Sequence, residues 1–113
     1  MEPLAGRAAL VTGAGIGIGE GIARELARQG ARVALHYSGS SAGAHAAMAE
    51  ITAAGGEAVA LQGDLRFVDD CERVVAEATD AFGGLDILVN NAGVTRAGTI
   101  EETTEALYDE MLD

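Results

Sequence analysis

The run Thr12-Gly13-Ala14-Gly15-Ile16-Gly17-Ile18-Gly19 carries the plainest chemistry in this chain. Gly13 can take the positive φ of a tight turn, while Gly17 and Gly19 leave room for backbone to approach a ligand or for a helix to pack on a strand. A helix beginning inside such a run offers free N–H groups and the positive end of its dipole to a pyrophosphate. The spacing is G-x-x-x-G-x-G, with no G-x-G-x-x-G register, and the absence of any Lys excludes a P-loop. Turn glycines without a ligand are the plainer alternative. A second run, Asn90-Asn91-Ala92-Gly93, holds two amide side chains that can bond a neighbouring strand or a nucleotide. Elsewhere the same residues would simply make a turn.

The other reactive side chains are isolated. His36 and His45 have no Cys, Asp or Glu at metal-ligand spacing, so no metal is expected and both are read as solvated or close to a helix cap. Cys71 is the single cysteine, which excludes an intrachain disulfide and a CxxC site, and it falls on an apolar helical stripe that predicts a core position. Ser38, Ser40 and Ser41 form a polar turn that either caps a helix or binds a cofactor phosphate.

These groups need a frame to hold them. Four apolar runs have the length of strands: Ala8 to Thr12, Arg32 to His36, Glu57 to Leu61 and Asp86 to Asn90. Between them lie three stripes at i, i+3, i+4 spacing: Ile18, Ile22, Ala23, Leu26 and Ala27; Ala44, Ala47, Met48 and Ile51; Cys71, Val74, Val75, Ala78 and Phe82. Glycines follow each stripe, at Gly30, at Gly55 and Gly56, and at Gly83 and Gly84, where helices end in a left-handed residue. Continuous apolar strands alternating with helices predict an α/β fold, a parallel sheet of about four strands with helices on both faces, and the glycine run after strand one makes it a partial doubly wound (Rossmann) sheet in the order 3-2-1-4. In such sheets ligands bind beyond the carboxyl ends of the strands, near the switch between strands one and four. Both glycine-bearing runs fall there. A last helix is predicted from about Thr104 to Leu112.

The chain has 113 residues, 49% hydrophobic and 22% charged, which suits one domain. Eighteen acidic residues against seven arginines give a formal net charge of −11, and that argues against nucleic acid or an anionic membrane as partner. Six of the acids lie between Glu101 and Asp113 and alternate with Leu107, Tyr108 and Met111 as the solvated face of a helix would. There is no leader-like N-terminus and no run near the roughly 18 apolar residues of a membrane span, so a cytoplasmic protein is expected.

TGAGIGIG after strand one, Gly63-Asp64-Leu65 after strand three and NNAG after strand four, in order from about Leu4 onward, resemble the short-chain dehydrogenase/reductase family. The runs Ile87 to Gly93 and Phe82-Gly83-Gly84 look most like its 3-oxoacyl-[acyl-carrier-protein] reductase type. The resemblance implies a dinucleotide cofactor held by Thr12, Gly13, Gly15, Ile16, Gly17, Ile18 and Gly19 around the pyrophosphate. It implies Asp64 at the adenine amino group with Leu65 beside the ring, and Asn90, Asn91, Ala92 and Gly93 leading from the adenosine toward the nicotinamide. At the ribose, Tyr37 stands where NAD-selective folds put a carboxylate, and Ser38 and its neighbours can donate to a 2′-phosphate, so NADP is expected, with NAD possible. Ile16 stands where NADP-dependent relatives often carry a basic residue.

The catalytic Ser and Tyr-x-x-x-Lys of the family have no counterparts here. Tyr37 is followed four residues on by Ser41, and Tyr108 by Leu112. Residues 1–113 therefore correspond to an NAD(P)-binding half-domain without the catalytic half, inactive by itself in hydride transfer; the alternative is a non-enzymatic nucleotide-binding or scaffold module. With strand four at the sheet edge, self-association through Asp86 to Asn90 and the last helix is expected.

Overall fold

The structure is a computed structural model that describes residues 2–15, 17–39 and 41–91. Four parallel strands, β1 (Ala8–Thr12), β2 (Arg32–Tyr37), β3 (Ala58–Gln62) and β4 (Ile87–Asn90), make one sheet in the order β3-β2-β1-β4. Helices α1 (Gly17–Arg28), α2 (Ala42–Ala53) and α3 (Val68–Phe82) connect them. The expected architecture and strand order stand. The strand limits shift by a residue: Tyr37 pairs with Gln62 and so extends β2 and β3, while Asp86 stops short of β4. Its backbone N–H still donates to the Ala8 carbonyl (2.8 Å), and its Oδ2 accepts from the Ala8 amide (2.9 Å). The predicted last helix lies outside the described residues, as do Ile16, Ser40, Ala92 and Gly93.

Period-2 alternation sends the two faces of the central strands into separate cores. Ala8, Leu10, Ala34 and Leu88 meet Cys71, Val74, Ala78 and Phe82 of α3. Val11, Val33 and Leu35 meet Ala23 of α1 and Ala44, Ala47 and Ile51 of α2 on the other face. The core placement of Cys71 is thereby met, and its thiol contacts the Leu65 carbonyl at 3.3 Å. Three glycines in the first five residues of α1 make it a weak helix by propensity, so burial of Ala23 with Ile22, Leu26 and Ala27 against the sheet must hold it. Ile18 departs from that stripe. It is 76% exposed, because the helix start rises beyond the end of the sheet. Gly83 ends α3 with φ of 76°, a conformation costly for other residues, and its amide donates to Thr79 O (2.8 Å).

Candidate functional site

The carboxyl ends of all four strands and the N-termini of all three helices meet at one edge of the sheet, as parallel βα units require. There Gly13 turns the chain out of β1 at φ 66°. Thr12, fully buried, directs its hydroxyl at the Val89 carbonyl (3.3 Å) and at Asn90 Oδ1 (3.2 Å), and its oxygen accepts the Asn91 amide (3.0 Å). Asn91 Nδ2 donates to the Gly13 carbonyl (3.2 Å). The end of β4 is thus tied to the glycine turn by side chains of both runs singled out in the sequence.

The glycines divide the labour differently from expectation. A Cβ on Gly19 would run into the Gly13 carbonyl and lie 2.8 Å from Asn91 Nδ2, so α1 can sit against the turn only with glycine there. Gly17 has nothing within 4 Å of such a Cβ. The helix–strand contact anticipated for both glycines belongs to Gly19 alone, and Gly17 faces open space at the start of α1. Sequence reasoning missed Gly43, whose Cβ would strike the Gly15 carbonyl and come 2.7 Å from Glu20 Oε2. That glycine lets the first turn of α2 close on the loop; its signal is a glycine directly before the second apolar stripe.

His36 corrects the expectation of a solvated or cap-proximal histidine. It is 1% exposed, since its side chain leaves β2 on the α3 face between the flanking strand ends. Its Nδ1 accepts the Gly13 amide (3.1 Å) and its Nε2 donates to the Gly63 carbonyl (2.8 Å). Burial pulls the imidazole below its ordinary pKa, and the Gly63 bond only partly opposes this. His45 is exposed in the first turn of α2, with its ring 5.6 Å from that of Tyr37. Tyr37 is half-buried and Ser38 exposed. Ser41 makes no side-chain bond to the start of α2, so its hydroxyl is not a cap.

Asp64 follows β3 at the same edge. Arg66 engages it through Nε to Oδ1 (3.0 Å) and Nη2 to Oδ2 (2.7 Å), and the Arg66 amide adds a turn bond to Oδ1 (3.1 Å). The guanidinium and amide hold the carboxyl down at about 2, so it is ionised across the neutral range. An adenine amino group at Asp64 would share the carboxylate with Arg66. Leu65 is half-buried and packs on the α3 core.

Large exposed apolar side chains among the described residues are Ile18, Phe67 and Val68, at the starts of α1 and α3 on this same edge. A depression of about 500 Å³ lies at the opposite end of the sheet, lined by Arg24, Gly30, Arg32, Glu50 and Glu57 among others. Arg24 and Glu50 within it form an ion pair at 2.6 Å, and no sequence motif reaches it. The motif-bearing edge is the better site despite being open, because a dinucleotide lies across such an edge.

A model of the short chain dehydrogenase family matches residues 7–113. The chain is 47% identical over 113 residues to an uncharacterized oxidoreductase of Methylorubrum extorquens, covering all of this chain and 46% of that protein. It is 41% identical over 107 residues to a 3-oxoacyl-[acyl-carrier-protein] reductase of Staphylococcus aureus, covering 95% of this chain and 44% of that protein. Among solved structures, a short chain dehydrogenase of Burkholderia cenocepacia in complex with NADP superposes with a TM-score of 0.78 at 46% identity, over 96% of this chain and 44% of that one. The chain spans less than half the length of these relatives. Its motifs, its 3-2-1-4 sheet and these likenesses agree: the chain belongs to the short-chain dehydrogenase family.

Proposed function

We propose that this chain binds NADP(H), accepting NAD(H) as well, as the dinucleotide-binding portion of an oxidoreductase that moves hydride between the nicotinamide and a carbonyl or alcohol. The observation that carries the reading is the glycine turn at the carboxyl edge, closed on α1 by Gly19 and left open at Gly17. The first-turn amides of α1 have no intrahelical acceptors, and with the helix dipole they suit a pyrophosphate. Gly13, Gly15, Ile16, Gly17, Ile18 and Gly19 line that part, with Thr12 beneath it. Asp64 and Leu65 take the adenine, and Asn90, Asn91, Ala92 and Gly93 lead toward the nicotinamide. The cofactor supplies the hydride; the residues of this chain bind and orient it. A carbonyl substrate is supported by the likeness to the acyl-carrier-protein reductase.

The preference for NADP rests on Tyr37 at the end of β2, where a carboxylate would repel a 2′-phosphate, and is supported by the NADP-bound Burkholderia relative. Ser38 and the Ser41 hydroxyl, unused as a cap, are donors beside it. Glu20 lies close to Gly43 at the start of α2, but Arg24 pairs with it at 3.5 Å. Fluorescence titration of NADPH and NADH into the parent and Tyr37→Asp tests this. The parent should bind NADPH more tightly, and the variant should lose NADPH affinity by about tenfold, the effect of roughly 1.4 kcal/mol of like-charge repulsion. A parent that prefers NADH, or a variant with unchanged selectivity, overturns the ribose assignment.

A second reading, a self-associating module, is favoured by one observation: among the described residues β4 lies at the end of the sheet, beside β1. We assign to that edge, with the segment after it, a contact between copies. A cytoplasmic setting accords with a chain whose single cysteine, Cys71, lies buried in the core.

A further inference from the structure

We propose that His36 is a positioning residue that locks the glycine turn and the Asp64 loop into one unit, and thereby sets how tightly the dinucleotide is held. The proposal rests on the cofactor reading given above and adds to it a residue that touches neither phosphate nor base.

β1 and β3 are not neighbours; β2 runs between them, so the loops that follow them have no ladder of their own to fix their spacing. One residue of β2 bridges the gap. The side chain of His36 takes the Gly13 amide on one nitrogen and the Gly63 carbonyl on the other, at 3.1 and 2.8 Å. Its own carbonyl accepts the next amide of the turn, that of Ala14, at 2.7 Å. The carbonyl of Tyr37 accepts the amide of Gly63 at 3.1 Å. The turn is therefore held by two bonds from His36, and the β3 exit by two bonds from His36 and Tyr37, adjacent residues of one strand. Beyond Gly63 the chain has little slack, because a Cβ there would lie 2.7 Å from Val74 Cγ2, and the next amide, Asp64 N, donates to Asp70 Oδ2 at 2.7 Å.

The backbone partners dictate the protonation state. An amide can only donate, so Nδ1 must carry a lone pair; a carbonyl can only accept, so Nε2 must carry the proton. Only the neutral Nε2–H imidazole meets both. By committing the amides of Gly13 and Ala14 to β2, His36 also leaves the amides at the start of α1 as the donors that face a ligand.

Three variants separate the two bonds. Asn places an oxygen as many bonds from Cα as Nδ1 is, and can serve Gly13 alone; Gln places an amide nitrogen as many bonds out as Nε2, and can serve Gly63 alone; Leu serves neither. Calorimetric titration of NADP⁺ is expected to show a loss of at least about tenfold in affinity for His36→Leu, with His36→Asn and His36→Gln each recovering part of it, and the variants retaining the parent's far-UV circular dichroism. Imidazole ¹⁵N NMR of the chain without ligand should show a protonated Nε2 and an unprotonated Nδ1 at neutral pH. Equal NADP⁺ affinity in parent and His36→Leu overturns the proposal, and so does a protonated Nδ1. Because the NMR experiment needs no ligand, a chain that binds neither NADP⁺ nor NAD⁺ overturns the cofactor reading separately. Should His36→Leu fail to fold, NADP⁺ affinity below the parent's in both the Asn and Gln variants supports the coupling, and affinity equal to the parent in both overturns it.

Discussion

Two glycines two residues apart in α1 face opposite demands. Replacing glycine by alanine inside a helix ordinarily stabilises by about 1 kcal/mol. At Gly19 that gain is overridden, because the new methyl must displace the Gly13 carbonyl, and overpacking of that kind costs about 1–3 kcal/mol. Gly19→Ala should therefore lower the urea midpoint, whereas Gly17→Ala should leave it unchanged or raise it. Gly17→Val should in addition abolish the thermal stabilisation by NADPH that grows with the logarithm of ligand concentration in the parent; equal stabilisation of both would remove Gly17 from the pyrophosphate site. His36 gives a prediction with a sign. Its folded pKa lies below the ordinary 6.5, so its contribution to stability is complete above that pH and is lost as pH falls through the folded-state value. Arg73 and Asp70 lie beside Gly63, and both are unchanged in the His36→Asn comparison. Between about pH 7.5 and 5.5, the parent should lose more stability than His36→Asn in parallel urea melts.

At the scale of elements, the join between β1 and β4 depends on a side chain more than on strand length, since β4 has four residues. Thr12 is fully buried and accepts the Asn91 amide beyond the end of the ladder. Thr12→Val keeps the shape and removes the oxygen, stranding a donor, and should cost about 1–3 kcal/mol in urea unfolding; Thr12→Ser should cost less than half of that. Loss of equal size in both would mean that the methyl group matters as much as the hydroxyl. The same join orients Asn91 toward Gly13, so a drop in NADPH affinity should accompany the drop in stability for Thr12→Val.

For the whole molecule, the four strands and three helices of the described residues build a two-sided core and place β4 at the end of the sheet beside β1, with Leu88 buried by α3. A strand in that place attracts a second copy, and among the described residues the charge beside it is Asp86, already bonded to Ala8. Light-scattering chromatography of the chain should show mass rising with concentration, and Leu88→Lys should destabilise the fold while Ile87→Lys, on a half-buried position, should weaken association. A single monomer peak at all concentrations would count against the contact. The chain should also show no carbonyl reduction with NADPH, because it holds no Tyr-x-x-x-Lys pair to protonate an alkoxide, an effect of about 10² to 10⁴ in rate. Turnover by the mass-verified chain would overturn this.

Periodicity along the chain was enough to locate the four strands within a residue and the three helices of the described residues, because burial repeats at 2 and 3.6 residues whatever the partner is. Alternation of strand and helix gave a parallel sheet, and the glycine runs gave its order, that of the doubly wound dinucleotide fold, and marked the ligand edge because turn and close approach are local demands. What only the tertiary structure decided lies between residues far apart in sequence. His36 bonds Gly13 across 23 residues and Gly63 across 27, so a side chain that reads as solvated becomes the buried link of the site. Gly17 and Gly19 look alike in the motif, yet only the docking of α1 on the turn tells which one has no room for a methyl group. Ile18 fits the apolar stripe by spacing, but the end of the sheet falls short of it and leaves it exposed. Sequence spacing states which residues share a face; how far each face extends over its neighbour is set by the packing of the elements.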